Sequence, residues 1–200
     1  MKVGIMGGTF DPPHIAHLIM AEVARVRLEL DKVVFIPSGD PWMKSGHIVT
    51  SAEKRVEMVS LAIATNPAFS LSLIEVNRPG PTYTIDTIEQ LLGEVGCDAG
   101  LFLLLGWDSV AELPSWKAPY RISKMARVVA FPRTGFAKPD LAGLEKAMPG
   151  IGDRIVYIDE PSLSISSTCI RQRVMEGKSV RYMVPDAVRQ YIIEHNLYKA

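Results

Sequence analysis

The run Gly7-Gly8-Thr9-Phe10-Asp11-Pro12-Pro13-His14-Ile15-Ala16-His17 follows a short apolar stretch and leads into a segment of helical period. Paired glycines let backbone approach a ligand closely, and a helix start turns N–H groups toward an anion. His14 and His17 share one face of the first helical turn. Two imidazoles aimed at one place can hold a metal or donate hydrogen bonds to phosphoryl oxygens; alone, they could equally cap and pack a helix start. No third ligand stands at matching spacing, which weakens a zinc reading. The run has neither the G-x-G-x-x-G spacing of dinucleotide sites nor the G-K-[ST] ending of a P-loop.

A second constellation, Ile165-Ser166-Ser167-Thr168-Cys169-Ile170-Arg171, also follows a strand-like run and opens a helix. Ser167 or Thr168 is explained by N-capping alone. Arg171 is not, because a cation in the first turn opposes the helix dipole unless an anion bridges the two. Two helix starts with imidazole and guanidinium donors could hold the two ends of a polyphosphate. Cys169 in that first turn reads as a small buried filler rather than a reactive thiol.

The elements that must position these residues alternate. Lys2–Met6, Lys32–Ile36, Phe69–Val76, Leu101–Leu105, Arg127–Phe131 and Arg154–Ile158 read as strands. Ile15, Ile19, Val23, Val26 and Leu30 form one helical stripe, and Thr50-x-x-Glu53 reads as a capping box for a helix ending near Thr65. Further helices are expected over Thr84–Val95, Leu141–Met148, Thr168–Met175 and Pro185–Glu194. Such alternation predicts an α/β fold with a doubly wound, mostly parallel sheet and helices on both faces. Leu101–Leu105 suits a central strand. Ligands in such sheets sit at the carboxyl ends of strands, so the proline-rich loops at 37–41, 79–81, 114–119 and 132–139 form the candidate rim.

Composition narrows the partners. The 200 residues carry 22 Lys+Arg against 22 Asp+Glu, a formal net charge of zero, so no global field favours nucleic acid or an anionic membrane. An anion must be held by local clustering. At 48% hydrophobic and 22% charged residues the chain should fold, and one domain over 1–200 is the expectation. No apolar run is long enough to span a bilayer and the N-terminus does not begin a secretory signal, which points to the cytoplasm. Cys97 and Cys169 form no C-x-x-C, so a sulfur-held metal is not suggested.

The two motifs together resemble the nucleotidyltransferases with an H-x-G-H signature, and specifically the bacterial nicotinate-nucleotide adenylyltransferases. Further segments resemble that family in order: Ile36-Pro37-Ser38-Gly39 with Lys44, Arg78 to Thr87, Gly106-Trp107-Asp108-Ser109 with Leu113-Pro114-Ser115-Trp116, Arg133-Thr134-Gly135, and Val184-Pro185-Asp186-Ala187-Val188 to Leu197-Tyr198. The resemblance implies a Rossmann-like fold and transfer of AMP from ATP to nicotinate mononucleotide, releasing pyrophosphate. It implies that His14 and His17 bond the ATP phosphates, His17 chiefly in the transition state, and that Lys44 and Arg171 hold phosphates. Ser167 and Thr168 would present a helix start to the triphosphate, and Gly8, Thr9 and Phe10 would shape the floor. Gly106 and Asp108 correspond to contacts with the ATP ribose. Lys44, Tyr83, Thr84 and Trp116 correspond to the second substrate's site, Trp116 stacking on the pyridine ring. Thr82 or Thr84 as a helix cap, and Trp116 as a loop cover, remain the plain alternatives.

Mg²⁺ is expected to arrive with ATP, ligated mostly by phosphates and water. ATP and nicotinate mononucleotide are the implied partners, without nucleic acid or membrane; a homo-oligomer is left open. The chain departs from the family pattern at Ala16, where H-x-G-H has glycine, and at Pro41-Trp42-Met43-Lys44, where Pro-Pro-His-Lys is usual. Trp42 and Met43 read as an apolar lid or packing feature. The alternatives are nicotinamide mononucleotide or phosphopantetheine as acceptor, and a non-catalytic nucleotide-binding module of the same fold.

Overall fold

The structure, a computed structural model, describes residues 1–39 and 49–199. Strands β1 (Lys2–Gly8), β2 (Lys32–Pro37), β3 (Phe69–Leu71), β4 (Gly100–Gly106), β5 (Ala126–Phe131) and β6 (Ile155–Tyr157) form one sheet in the order β3-β2-β1-β4-β5-β6. β1 pairs with β4, β4 with β5 and β5 with β6, all in parallel; Val3 stands opposite Leu101 and Leu103 opposite Val128. Parallel neighbours need crossover connections, and helices supply them. The order reverses between β1 and β4, as in doubly wound Rossmann-like sheets, so the fold class expected from the alternation is the one adopted. In β4 Leu101 through Leu105 are all buried, which fits the central place expected of that run.

The helices are α1 (Ile15–Leu28), α2 (Ala52–Ile63), α3 (Thr84–Val95), α4 (Trp107–Glu112), α5 (Pro119–Met125), α6 (Leu141–Ala147), α7 (Ser167–Met175) and α8 (Asp186–Glu194). The chain divides into two compact units. The first comprises Met1–Met6, Met20–Val33 and Tyr83–Ser164, and its core includes Leu101, Leu103, Val128, Val129, Ile88 and Ile122. The second comprises Gly7–Ile19, Val34–Thr82 and Ile165–Ala200; in it α2 packs on α8 and β3 around Phe35, Met58, Val59 and Ile192. Among the described residues no helix is long and apolar enough to cross a membrane.

Several boundaries differ from the sequence expectation for local reasons. The strand read over Phe69–Val76 stops at Leu71, because the Ser72 hydroxyl takes the Ile74 N–H and the chain turns, with Asn77 N–H on the Leu73 carbonyl. The Thr50-x-x-Glu53 box does not form: Ser51 is the N-cap of α2, and the Thr50 backbone is committed to Asp11 and Arg55. Two short helices that the sequence reading did not assign, α4 and α5, flank the proline loop expected over 114–119. Pro119 stands at the first turn of α5, where a missing N–H does no harm. Cys169, expected as a buried filler, is exposed.

In the first unit the end of α6 is fastened by Glu145, whose carboxylate accepts the Gly150 N–H at 2.6 Å and the Gly152 N–H at 3.0 Å. Those two bonds hold its carboxyl below the ordinary range. A depressed folded-state pKa contributes stability above the unfolded value and loses it as pH falls through the folded one. Thermal melts of Glu145→Gln at pH ~7 and pH ~3 should therefore show a smaller acid-induced drop than the wild type. Equal drops would remove that role.

Candidate active site

The second unit holds most of the predicted phosphate site. β1 ends at Gly8, where a Cβ would press on the Phe10 ring at 3.3 Å. Phe10 has φ +51°, a left-handed conformation that costs a non-glycine residue roughly 1–2 kcal/mol. Its ring meets the His17 imidazole edge-on, with centroids 5.0 Å apart. His14, 3% exposed, stacks on His17 at 3.6 Å with planes 15° apart. The His14 N–H donates to Nδ1 of His17 at 3.2 Å, so the neutral His17 ring carries its proton on Nε2. His17 is thereby set as a hydrogen-bond donor, half-buried at the start of α1. One expectation is corrected here: the first N–H of α1, that of Ile15, is spent on the Met183 carbonyl at 2.9 Å instead of being offered to an anion.

The start of α7 is bonded to the same loop. Ser166, not Ser167 or Thr168, is the N-cap, accepting the Cys169 N–H at 3.2 Å. Ser167 Oγ is thus free of the capping role and donates to the Pro12 carbonyl at 2.8 Å. Arg171 donates through Nη1 to the Asp11 carbonyl at 2.8 Å and through Nη2 to Thr168 Oγ1 at 3.3 Å. A guanidinium has five N–H donors, so the fork retains donors for phosphate oxygens. Sequence reasoning placed His14, His17, Ser167, Thr168 and Arg171 together, and the structure brings them together with Gly8, Thr9 and Phe10. Lys44, Trp42 and Met43 lie outside the described residues.

Three residues of this unit were given no role by the sequence reading. Arg55 on α2 is 1% exposed and donates to the carbonyls of Thr50 (2.9 Å), Thr9 (2.9 Å) and Gly39 (3.0 Å). Its pKa is lowered by burial, with the nearby Asp11 charge opposing that shift. Gly39 admits no side chain, because a Cβ would overlap the Glu75 carbonyl oxygen. Asp11, 3% exposed, accepts the Tyr198 hydroxyl at 2.7 Å and the Thr50 N–H at 3.2 Å. Burial, then the Asp11 charge and hydrogen bond, push the Tyr198 hydroxyl far up, so it stays a donor. One signal was available: Arg55 occupies the apolar stripe of α2 with Met58, Val59 and Ala62.

The first unit holds the other predicted residues. Gly106 ends β4 and is the N-cap of α4; a Cβ there would lie 2.5 Å from Asp108 Oδ1, so glycine lets that carboxylate fold back on the strand end. Asp108 Oδ1 is buried without a protein hydrogen bond, and Oδ2 stands 3.7 Å from Arg133 Nε. A buried carboxylate oxygen with unfilled acceptor capacity is suited to a ligand hydroxyl. Tyr83 is the N-cap of α3, without a side-chain cap, and Thr84 is its first residue. Thr82 gives its hydroxyl to Glu75 Oε2 at 3.1 Å, within the second unit. Helix capping therefore explains neither threonine. Lys117 sits over the Tyr83 ring at 4.3 Å and pairs with Asp86 at 3.1 Å. Trp116 is half-buried and closes the 3-10 turn Leu113–Ser115 through its N–H on Leu113.

A strand order that reverses at β1, a glycine turn feeding two stacked histidines, and an arginine fork on α7 accord with a nucleotidyltransferase, the class shown by the cytidylyltransferase-like family model, which matches residues 5–173. Whole-length relatives refine this. A protein of Dehalococcoides mccartyi strain CBDB1 named "Probable nicotinate-nucleotide adenylyltransferase" is 44% identical over 99% of this chain and 97% of its own; one of the same name from Roseiflexus sp. strain RS-1 is 47% identical over 98% of each. The chain belongs to the nicotinate-nucleotide adenylyltransferases of the cytidylyltransferase-like family, as its motifs suggested. The fold is also that of the Plasmodium falciparum nicotinic acid mononucleotide adenylyltransferase solved with NaAD, at TM-score 0.78 and 20% identity over 98% of this chain and 97% of that one.

Proposed function

We propose that the chain transfers the adenylyl group of MgATP to nicotinate mononucleotide, forming nicotinate adenine dinucleotide and pyrophosphate by in-line attack of the mononucleotide phosphate on the α-phosphorus. The observation that carries this reading is the stitching of α7 to the histidine loop, Ser167 on Pro12 and Arg171 on Asp11, which gathers donors from both ends of the sequence. The nucleophile is a phosphate oxygen already ionised at neutral pH, so no general base is needed. The protein's work is alignment and stabilisation of charge developing on the α-phosphate and the leaving pyrophosphate.

His14 and His17 serve the ATP phosphates, with Nε2–H of His17 directed at the charge that grows in the transition state. Arg171 and Lys44 bind phosphate oxygens, Ser167 and Thr168 present the start of α7 to the triphosphate, and Gly8, Thr9 and Phe10 form the floor. Asp108 accepts ribose hydroxyls beside Gly106. Tyr83, Thr84 and Trp116 receive the nicotinate ring and carboxylate. Mg²⁺ enters as part of the ATP substrate, ligated by its phosphates and water. The reaction is placed in the cytoplasm, where ATP is supplied.

The test is pyrophosphate release from MgATP with each acceptor in turn. Release with nicotinate mononucleotide well above that with nicotinamide mononucleotide is the expected result. Release only with another phosphorylated acceptor keeps the chemistry and overturns the substrate. No release with any acceptor, together with measurable ATP binding, would make the chain a nucleotide-binding module.

A further inference from the structure

The roles above leave Arg55, Asp11 and Tyr198 without a task. Burying a guanidinium and a carboxylate is poor economy for stability alone, since well-packed apolar residues often do as well or better. What this pair buries itself against is informative. Arg55 takes the Thr9 carbonyl, Arg171 takes the Asp11 carbonyl, and Phe10 lies between those two peptides. The backbone is therefore clamped at the peptide before Phe10, the residue of this loop held at left-handed φ, and again at the peptide that follows Asp11. The Asp11 side chain is fixed in turn by Tyr198 and Thr50, and the Thr50 carbonyl by Arg55, which closes the network on itself.

Phe10 is also the residue whose ring meets His17 in a T-shaped contact. A strained backbone persists only where its surroundings over-determine it, and strain of this kind is informative when it positions a reacting group. We propose that Arg55, Asp11 and Tyr198 are positioning residues for adenylyl transfer: their buried network holds the Thr9 carbonyl and the Asp11 side chain on either side of Phe10 and, through the Phe10 ring, sets the His17 imidazole. The Tyr198 hydroxyl reaches Asp11 across 187 positions of sequence, so the segment after α8 is part of this clamp. The kinetic part rests on the adenylyltransferase reading; the geometric part does not.

The experiment uses the full chain with Tyr198→Phe, which removes a single hydroxyl, and Arg55→Lys, which keeps the charge but cannot fork to three carbonyls. Each is measured for kcat, for KM of both substrates, for thermal melting, and for the ¹⁵N signals of the His17 ring without substrate. In Tyr198→Phe kcat should fall ~10-fold at temperatures where the variant is fully folded, with KM for nicotinate mononucleotide unchanged and the His17 ring signals moved. Arg55→Lys should do the same more strongly. Should it fail to fold, the Tyr198 variant decides. Wild-type kcat and wild-type His17 signals in folded Tyr198→Phe would overturn the proposal, as would a kcat loss that merely tracks the unfolded fraction. Were the wild type to release no pyrophosphate with any acceptor, the functional reading would fail, and the ring signals alone would decide the positioning role.

Discussion

His17→Ala is expected to lower kcat for adenylyl transfer by ~10²-fold while the dissociation constant for ATP moves less than ~3-fold. The asymmetry follows from geometry. His17 Nδ1 accepts the His14 N–H, and the ring is held by stacking on His14 and by an edge-to-face contact with Phe10, which sets Nε2 as the ring's donor atom. A donor already oriented reorganises little when the α-phosphate gains charge, so its contribution appears in the transition state more than in the ground state. His17→Gln keeps an N–H donor on a flexible chain and should recover part of the loss. Steady-state kinetics beside calorimetric titration with a non-hydrolysable ATP analogue separates the two quantities. Equal losses in kcat and binding would show instead that His17 grips the ground-state triphosphate.

The sequence made this site legible through its motifs and hid what supports it. α3 begins at Thr84 and ends at Val95 as its apolar period predicts, and the central strand is recognisable from Leu101–Leu105 because only a strand buried on both faces tolerates such a run. His14, His17 and Arg171 were found by type and spacing, since a cation at a helix start calls for an anion. Arg55 was not, because a single charge in an apolar stripe reads as a solvated edge until its three carbonyl partners are seen, and those come from three separate segments. Thr50 misled for a related reason. A Thr-x-x-Glu pattern is a local signal, and here the long-range claims of Asp11 and Arg55 on the Thr50 backbone outweigh it, shifting the cap to Ser51.

The zero net charge also acquires a sharper meaning. With no excess charge to steer a polyanion, selectivity for a small phosphate ligand must come from donors at fixed positions. In the second unit the candidate donor Arg171 is held by a neutral backbone acceptor, the Asp11 carbonyl, beside Ser167 on the Pro12 carbonyl. A carbonyl holds a guanidinium in place without neutralising it, as a carboxylate would, so the positive charge remains available to a ligand. Asp11, a buried carboxylate of the same loop, has its two oxygens engaged by Tyr198 and Thr50.

That arrangement gives the other large expected effect. Arg171→Ala should raise KM for ATP by ~10- to 100-fold and lower kcat as well, because a charge-assisted fork to phosphate and the clamp on Asp11 are lost together. Arg171→Lys should recover only a minor part, since one ammonium cannot hold the Asp11 carbonyl and a phosphate in the planar geometry of a guanidinium. The structural share can be weighed separately. Loss of the bond to Asp11 should cost ~1–2 kcal/mol and lower the melting temperature by a few degrees, at ~2–4 °C per kcal/mol for a chain of this size. Inorganic pyrophosphate discriminates between the two shares: as the leaving product it uses the phosphate contacts without the nucleoside, so its inhibition constant should rise in step with KM for ATP in Arg171→Ala. An inhibition constant that stays at the wild-type value while the melting temperature falls would reduce Arg171 to a brace for the histidine loop and remove it from the phosphate site.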